Sequence, residues 1–192
     1  MATTRTQDAA DSGFTRTAVA IGAGVGLAAG LLANFARKAV VQSPTVLAGS
    51  WDEALATEHR MALGIFDLLE KTTDGQAGRR SFLLMQLKHA LGKHAFQEEN
   101  TIYAMMRDNG ITEGADHLNH EHGYVKQFLF DLTEMERGDP RWLPKLAEFR
   151  AMIEPHMREE EDDLFPRMKA QLSDEQNRHL TVQMNKEGLK LA

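Results

Sequence analysis

From Trp51 onward, apolar and charged residues alternate with the period of an amphipathic helix, and β-branched residues are few. This pattern predicts five helices, most of them bounded by a capping box or by glycine and proline. Their predicted ranges are 50–71, 79–108, 112–137, 142–171 and a shorter helix that begins at 173. Because the connections are short, neighbouring helices should run antiparallel. The prediction is an all-α chain, built as an up-down-up-down four-helix bundle with a short C-terminal helix.

The residues before Trp51 follow a different pattern and divide into three predicted parts. Residues 1–16 are small and polar without an apolar period, which is typical of a flexible tail. Residues 17–38 predict an N-terminal glycine-rich helix, of which residues 17–36 carry no charge. Residues 39–50 contain proline and glycine and predict a linker. The bundle is then expected to occupy residues 51–192.

The glycine-rich helix has a spacing suited to close helix–helix contact. Gly22, Gly26 and Gly30 recur every four residues and form a smooth stripe, which favours self-association. The uncharged run is long enough to span a bilayer, but its glycine and alanine content makes its hydrophobicity borderline. Three interpretations stay open: a membrane anchor, a helix that packs or self-associates in water, and a cleaved secretory signal. We expect a cytoplasmic bundle, with or without an anchor in residues 17–36.

Composition narrows the classes of function. With 42% hydrophobic and 26% charged residues among 192, the chain is globular rather than disordered. A formal net charge of −6 argues against binding to nucleic acid. The absence of cysteine excludes disulfides, iron–sulfur clusters and thiolate metal sites. Eight histidines remain as candidate ligands, and the first of them is His59.

A repeated pattern of histidine and glutamate carries the functional signal. The segment HAFQEENTIY at 94–103 matches HMREEEDDLF at 156–165 position for position, at an offset of 62 residues. The dipeptides Glu58-His59 and Glu121-His122 repeat at nearly the same offset, 63 residues. The chain from Trp51 is therefore interpreted as a helical hairpin that is written twice.

The repeat predicts a dinuclear metal site. In each copy a histidine and a glutamate lie one helical turn apart on one face, and a pseudo-two-fold axis would bring both pairs together. The predicted ligands are His59, His94, Glu98, His122, His156 and Glu160. Six nitrogen and oxygen donors inside a bundle suit two transition-metal ions, and each carboxylate can bridge them. Buried carboxylates and imidazoles are costly unless a positive charge satisfies them.

The same residues also fit other interpretations. The six could be surface charges on amphipathic helices, and His120 could replace His122 as a ligand. Neighbours in a helix point about 100° apart, so the glutamates beside the ligands should face solvent or an outer layer of the site. These are Glu58, Glu99, Glu121 and Glu161. Lys126 is either a solvated charge or a residue near the site.

The doubled HxxxEE-x-x-[IL]-[YF] pattern resembles hemerythrin-like (HHE cation-binding) domains over roughly residues 51–171. The resemblance implies a four-helix bundle with a non-haem di-iron site, used in relatives to bind oxygen, handle iron or sense. All six predicted ligands match the metal-ligand positions of that pattern. Two departures from the oxygen-carrying members weigh against reversible oxygen carriage. Lys126 stands where they have a second third-helix histidine, and Glu161 stands where they have an aspartate.

The sequence therefore predicts a protein with two iron ions that binds dioxygen or a related small ligand, or that senses iron or redox status. The alternative is a di-iron enzyme that activates oxygen or peroxide, or that oxidises ferrous iron. Ferritin-like oxidases place glutamate before histidine, whereas this chain has histidine before glutamate, which favours binding or sensing. A metal-free, membrane-associated scaffold is a third interpretation. No residue is assigned a catalytic role.

Overall fold

The computed structural model describes residues 33–34, 36–38, 40 and 42–192. The predicted tail and nearly all of the glycine-rich helix, including Gly22, Gly26 and Gly30, lie outside these residues. The chain divides into two compact units, residues 1–41 and 42–192, and the second contains the repeat. Every regular element in the described part is helical, which confirms the all-α prediction. No helix in that part is both long and apolar enough to cross a membrane.

The helices of the second unit begin and end close to the predicted positions. They are α1 (Trp51–Glu70), α2 (Ala77–Gln97), α3 (Tyr103–Asp108), α4 (Thr112–Glu134), α5 (Trp142–Glu159), α6 (Phe165–Gln171) and α7 (Asp174–Leu191). Capping boxes start two of them, as predicted. The Ser50 backbone N–H donates to Glu53 at 3.1 Å before α1. Ser173 and Gln176 exchange two hydrogen bonds, of 2.9 and 3.2 Å, before α7.

The two longest predicted helices are each interrupted by a π-helical turn, which the sequence analysis did not anticipate. The first turn, Glu98–Ile102, joins α2 to α3, and the second, Glu160–Leu164, joins α5 to α6. Both begin at the glutamate of the His-x-x-x-Glu motif. A π turn holds one extra residue, so some carbonyls lose their usual partners. In the first turn, the side chains of Asn100 and Thr101 donate hydrogen bonds to the Phe96 and Gln97 carbonyls.

The predicted linker differs from the structure over residues 42–47, which are helical. Gln42 and Thr45 in this segment are each only 1% exposed. Gly49 follows the segment with a φ of +106°, a left-handed conformation that glycine adopts without strain. The segment is thus part of the folded unit rather than a spacer before it.

Two apolar clusters form the core and leave a polar layer between them. One cluster contains Trp51 and Phe165, whose rings meet edge to face at 5.2 Å. The other contains Phe66 and Phe149, whose rings meet in the same way at 5.1 Å. Along α1, His59 falls between residues of the first cluster and residues of the second. The histidines and glutamates of the repeat therefore lie in the layer between the two apolar clusters.

Candidate metal centre

All six predicted ligand residues lie in this polar layer, and their side chains converge. Their exposed fractions range from 0% to 5%, so none of them is a surface charge. They are His59 on α1, His94 on α2, Glu98 in the first π turn, His122 on α4, His156 on α5 and Glu160 in the second π turn. Their donor atoms form two four-membered groups that share both glutamates.

The first group, called here the His59 position, contains His59, His94, Glu98 and Glu160. The Nε2 atoms of His59 and His94 are 2.9 Å apart. Glu98 Oε1 is 3.1 Å from His94 Nε2, and Glu160 Oε2 is 3.3 Å from His59 Nε2. Adjacent ligands of one transition-metal ion have separations of about 3 Å, given bonds of about 2.0–2.2 Å.

The second group, called here the His122 position, contains His122, His156 and the other oxygen of each glutamate. Glu98 Oε2 is 3.4 Å from His122 Nε2. Glu160 Oε1 is 3.6 Å from His156 Nε2. Each glutamate thus directs one oxygen to each group, which is the arrangement of a carboxylate that bridges two ions.

The donor atoms fit a cation on the evidence of their own bonding. Glu98 Oε1 and Glu160 Oε2 are buried and have no hydrogen-bond partner among the described residues. Both oxygens belong to the His59 position. A buried carboxylate oxygen without a partner costs free energy, which a positive ion bound at this point would recover. The geometry therefore suits a metal ion.

Each of the four histidines also binds a glutamate through its other ring nitrogen. The Nδ1 pairs are His59–Glu161 (2.6 Å), His94–Glu58 (3.2 Å), His122–Glu99 (3.0 Å) and His156–Glu121 (2.8 Å). A carboxylate at Nδ1 holds the proton on that nitrogen and turns the Nε2 lone pair toward the centre. These four glutamates, which precede or follow a predicted ligand in sequence, therefore form an outer layer that orients the imidazoles.

One of these outer glutamates belongs to a buried polar network. Glu58 Oε1 accepts hydrogen bonds from Thr45 Oγ1 at 2.5 Å and from Lys93 Nζ at 2.7 Å. Lys93 also donates to Gln42 Oε1 at 3.0 Å. Burial alone would raise the pKa of Glu58, but His94 and Lys93 outweigh it and hold the pKa at about 2. The segment 42–47 is thereby linked to the carboxylate that orients His94.

Tyr103, at the start of α3, is a polar residue of the centre that the sequence analysis did not assign. Its hydroxyl donates to Glu160 Oε1 at 2.8 Å and lies 3.1 Å from His122 Nε2 and 3.4 Å from Glu98 Oε2. Burial raises the pKa of Tyr103 well above its usual range, and the charges of Glu160 and Glu98 raise it further. The sequence feature that could have identified Tyr103 is a difference between the two copies of the repeat, in which Tyr103 aligns with Phe165.

In the absence of a metal ion, the imidazoles and carboxylates of the centre stabilise each other's charged forms. Burial would lower the pKa of His122, but Glu98 and Glu99 raise it to about 9. Burial likewise opposes ionisation of Glu98, yet His94 and His122 keep its pKa well below the usual range. Metal binding would consequently compete with protons for the same nitrogens.

The remaining histidines and Lys126 lie at the surface. The other four histidines, all exposed, are His89, His117, His120 and His179. His120 packs its ring edge-on against Tyr124 at 5.2 Å, so it does not take the place of His122. Lys126 is 65% exposed and pairs with Glu99 at 2.9 Å. It therefore touches the centre through the glutamate that orients His122.

Among the described residues, two cavities are lined by side chains of the centre. The inner one, of about 10 Å³, is lined by His94, His122 and His156 together with apolar side chains. The outer one, a cleft of about 160 Å³, is lined by His122, Phe96 and Lys126 among others. Both cavities share His122 in their walls, so the cleft approaches the inner cavity from the surface.

Fold and site define a class of protein: a helical bundle with a buried cluster of histidines and glutamates that could hold a cation. The family model described as the hemerythrin HHE cation binding domain matches residues 52–168, and the chain belongs to this family. A hemerythrin-like protein of Schizosaccharomyces pombe is 25% identical over 131 residues, covering 67% of this chain and 64% of that protein. The chain thus spans less than two thirds of that relative's length. No solved structure matches the chain significantly.

Proposed function

We propose that this chain is a non-haem di-iron protein that binds dioxygen or a related small ligand, or that senses iron or redox status through the same centre. The observation that carries the proposal is the pair of donor groups that share Glu98 and Glu160. Each group offers two imidazole nitrogens and two carboxylate oxygens, a donor set that suits iron. The proposal includes the up-down-up-down order of the four long helices, which supports a site with ligands from each of them.

The six predicted residues would then act as metal ligands. His59 and His94 would serve one ion, His122 and His156 the other, and the two glutamates would bridge them. Two bound irons would supply one-electron redox chemistry and an open coordination position for a small ligand. The outer glutamates keep the imidazoles in the orientation that ligation needs. The apolar clusters above and below the polar layer limit the access of water to it.

The size of the inner cavity supports a small ligand. A cavity of about 10 Å³ is at the lower limit of the space for one water molecule. An organic substrate would require the helices to separate, whereas a diatomic molecule needs only a small side-chain movement. The cleft beside Lys126 and Phe96 offers a path for such a molecule from solvent.

A second candidate function, a di-iron enzyme that turns over oxygen or peroxide or oxidises ferrous iron, is favoured by Tyr103. Its hydroxyl is an oxidisable, proton-bearing group within 2.8 Å of a predicted bridging carboxylate. Such a group beside a redox centre can deliver a proton to a reacting ligand. Repeated consumption of oxygen or peroxide by the loaded protein would select this function over binding or sensing.

The test is iron stoichiometry with a matched pair of histidine variants. Full-length protein that is reconstituted without oxygen should contain about two irons per chain, one for each donor group. His94→Ala should lose most of this iron, because it removes a predicted ligand. His89→Ala changes an exposed histidine on the same helix and should keep it. One iron or fewer in the wild-type protein would reject the dinuclear proposal.

For the N-terminal part, we propose self-association through the stripe of Gly22, Gly26 and Gly30. The spacing of these residues supports it. Attachment of residues 17–36 to a membrane stays a prediction beside packing in water and cleavage as a signal. All three interpretations are compatible with a metal centre in residues 42–192, because the described ligands all belong to that unit.

A further inference from the structure

We propose that Tyr103 is a fifth protein ligand at the His122 position, where it binds iron as a phenolate. It would make the two iron positions chemically different although the repeat makes them similar. The inference rests on the proposed di-iron function and adds a ligand to it.

The position of the hydroxyl relative to the other donors is the first argument. Tyr103 Oη lies 2.8 Å from Glu160 Oε1, 3.1 Å from His122 Nε2 and 3.4 Å from Glu98 Oε2. All three atoms belong to the His122 position. Adjacent ligands at about 2.1 Å from one octahedral ion are about 3 Å apart. The hydroxyl therefore has the separation from each of them that a neighbouring ligand would have.

The one-sidedness of this contact is the second argument. The oxygens that Glu98 and Glu160 direct to the His59 position have no hydrogen-bond partner among the described residues. Their other oxygens both lie within 3.4 Å of the Tyr103 hydroxyl. The residue that aligns with Tyr103 in the second repeat is Phe165, which has no donor atom and packs on Trp51. The His122 position would thus have five protein donors and the His59 position four.

Charge balance is the third argument. In the metal-free chain the hydroxyl keeps its proton and donates it to Glu160. If iron were held at this position, Tyr103 would bind it after releasing the hydroxyl proton to solvent, with no change of oxidation state. A nearby metal ion favours the deprotonated form of a ligand in this way. Tyr103 is fully buried, and the ion would supply the positive charge that a buried phenolate requires.

Ligation by a phenolate would favour ferric over ferrous iron at the His122 position. An anionic oxygen donor stabilises the higher charge, so the reduction potential of that iron falls. This tendency opposes reversible oxygen binding, which needs a persistent ferrous pair. It agrees with sensing or turnover as the use of the centre.

The test is optical and uses the two tyrosines of the chain. Full-length, iron-loaded protein in the ferric state should show a visible phenolate-to-iron charge-transfer band and the resonance Raman modes of a bound phenolate. Tyr103→Phe removes one oxygen atom and should abolish the band while about two irons remain, because six ligands are left. Its reduction potential should rise. Tyr124→Phe changes a tyrosine that is 51% exposed and should leave both properties unchanged.

The outcomes separate this inference from the proposed function. Wild-type protein with two irons but without the band would overturn the inference and leave the di-iron proposal standing. A band that persists in Tyr103→Phe would also overturn it. If Tyr103→Phe does not fold, wild-type protein with ring-deuterated tyrosine decides, since bound phenolate modes must shift, and Tyr124→Phe assigns them. A wild-type protein that binds no iron would refute both proposals.

Discussion

Glu160→Gln is the substitution that most directly separates metal binding from folding. Glu160 is fully buried, and its oxygens face both donor groups. The amide of glutamine has the same shape, but its nitrogen cannot bind a metal ion. That nitrogen would stand near His59 Nε2, which lies 3.3 Å from the present Oε2, and could donate to its lone pair. Because burial lowers the pKa of His59 whereas the charge of Glu160 raises it, the metal-free variant serves as its own baseline, against which the gain in stability with metal is measured.

The loss should appear when metal is present. Wild-type protein at an iron concentration of about 1,000 times its Kd gains about 4.1 kcal/mol in free energy of unfolding. Removing even an outer partner of a ligand weakens metal binding about 10–100-fold, so loss of a shared ligand should reach at least about 100-fold. The same iron concentration is then about ten times Kd, and the gain falls to about 1.4 kcal/mol. For a chain of this length the missing 2.7 kcal/mol or so lowers the melting temperature by about 5–10 °C.

The assay is thermal unfolding without oxygen, with iron and with a chelator, together with iron analysis. Asp163→Asn is the matched control, because this side chain in the same π turn is 55% exposed and pairs with Arg167 instead of the centre. It should behave as the wild-type protein does in both conditions. A Glu160→Gln variant with two irons and the full metal-dependent rise in melting temperature would refute the assignment of Glu160 as a shared ligand.

The remaining predictions concern the surroundings of the centre and the N-terminal part of the chain. Thr45→Val should weaken iron binding by up to about tenfold, because Glu58 loses a hydrogen bond, and competition with a chelator measures this loss. Thr45→Ser keeps the hydroxyl and should restore the affinity. Iron uptake should release protons near neutral pH, measured by calorimetry in two buffers, because the pKa of His122 is about 9 without metal. That raised pKa stabilises the metal-free chain below about pH 6.5 and ceases to do so as the pH rises through 9, so the metal-dependent stabilisation should grow over this range. If residues 17–36 form an anchor, the full-length chain should sediment with membranes. Gly26→Leu should then weaken self-association without releasing the chain from the membrane.

The helices and the six converging side chains could be predicted from the sequence, because both depend on local periodicity. His94 and Glu98 lie one turn apart in any helix, and the second copy at His156 and Glu160 shows that the pair is not accidental. Capping residues such as Ser173 mark helix starts by short-range hydrogen bonds, so these boundaries were also predictable.

Other features depend on contacts between distant segments, and periodicity does not report them. The π turns at Glu98 and Glu160 shift the register of the backbone hydrogen bonds by one residue, while the residues on either side stay helical. The sequence is therefore equally compatible with an unbroken helix. Thr45 is 13 positions from Glu58 and lies in a stretch with proline and glycine, which predicts a linker. Tyr103 could have been singled out as the polar member of an otherwise apolar pair in the repeat.

The outer glutamates explain why four of the six predicted ligands, namely His59, Glu98, His122 and Glu160, stand beside a second carboxylate in the sequence. Neighbouring residues in a helix point about 100° apart, so a glutamate beside one ligand reaches toward a ligand on another helix. Glu58–His94 joins α1 to α2, and Glu99–His122 joins the first π turn to α4. Glu121–His156 joins α4 to α5, and Glu161–His59 joins the second π turn back to α1. This closed ring connects each of the four predicted ligand histidines to a neighbouring helix. A change of ligand position on oxidation or ligand binding would therefore be transmitted to all four helices, which is the property that a sensing centre needs and a passive store does not.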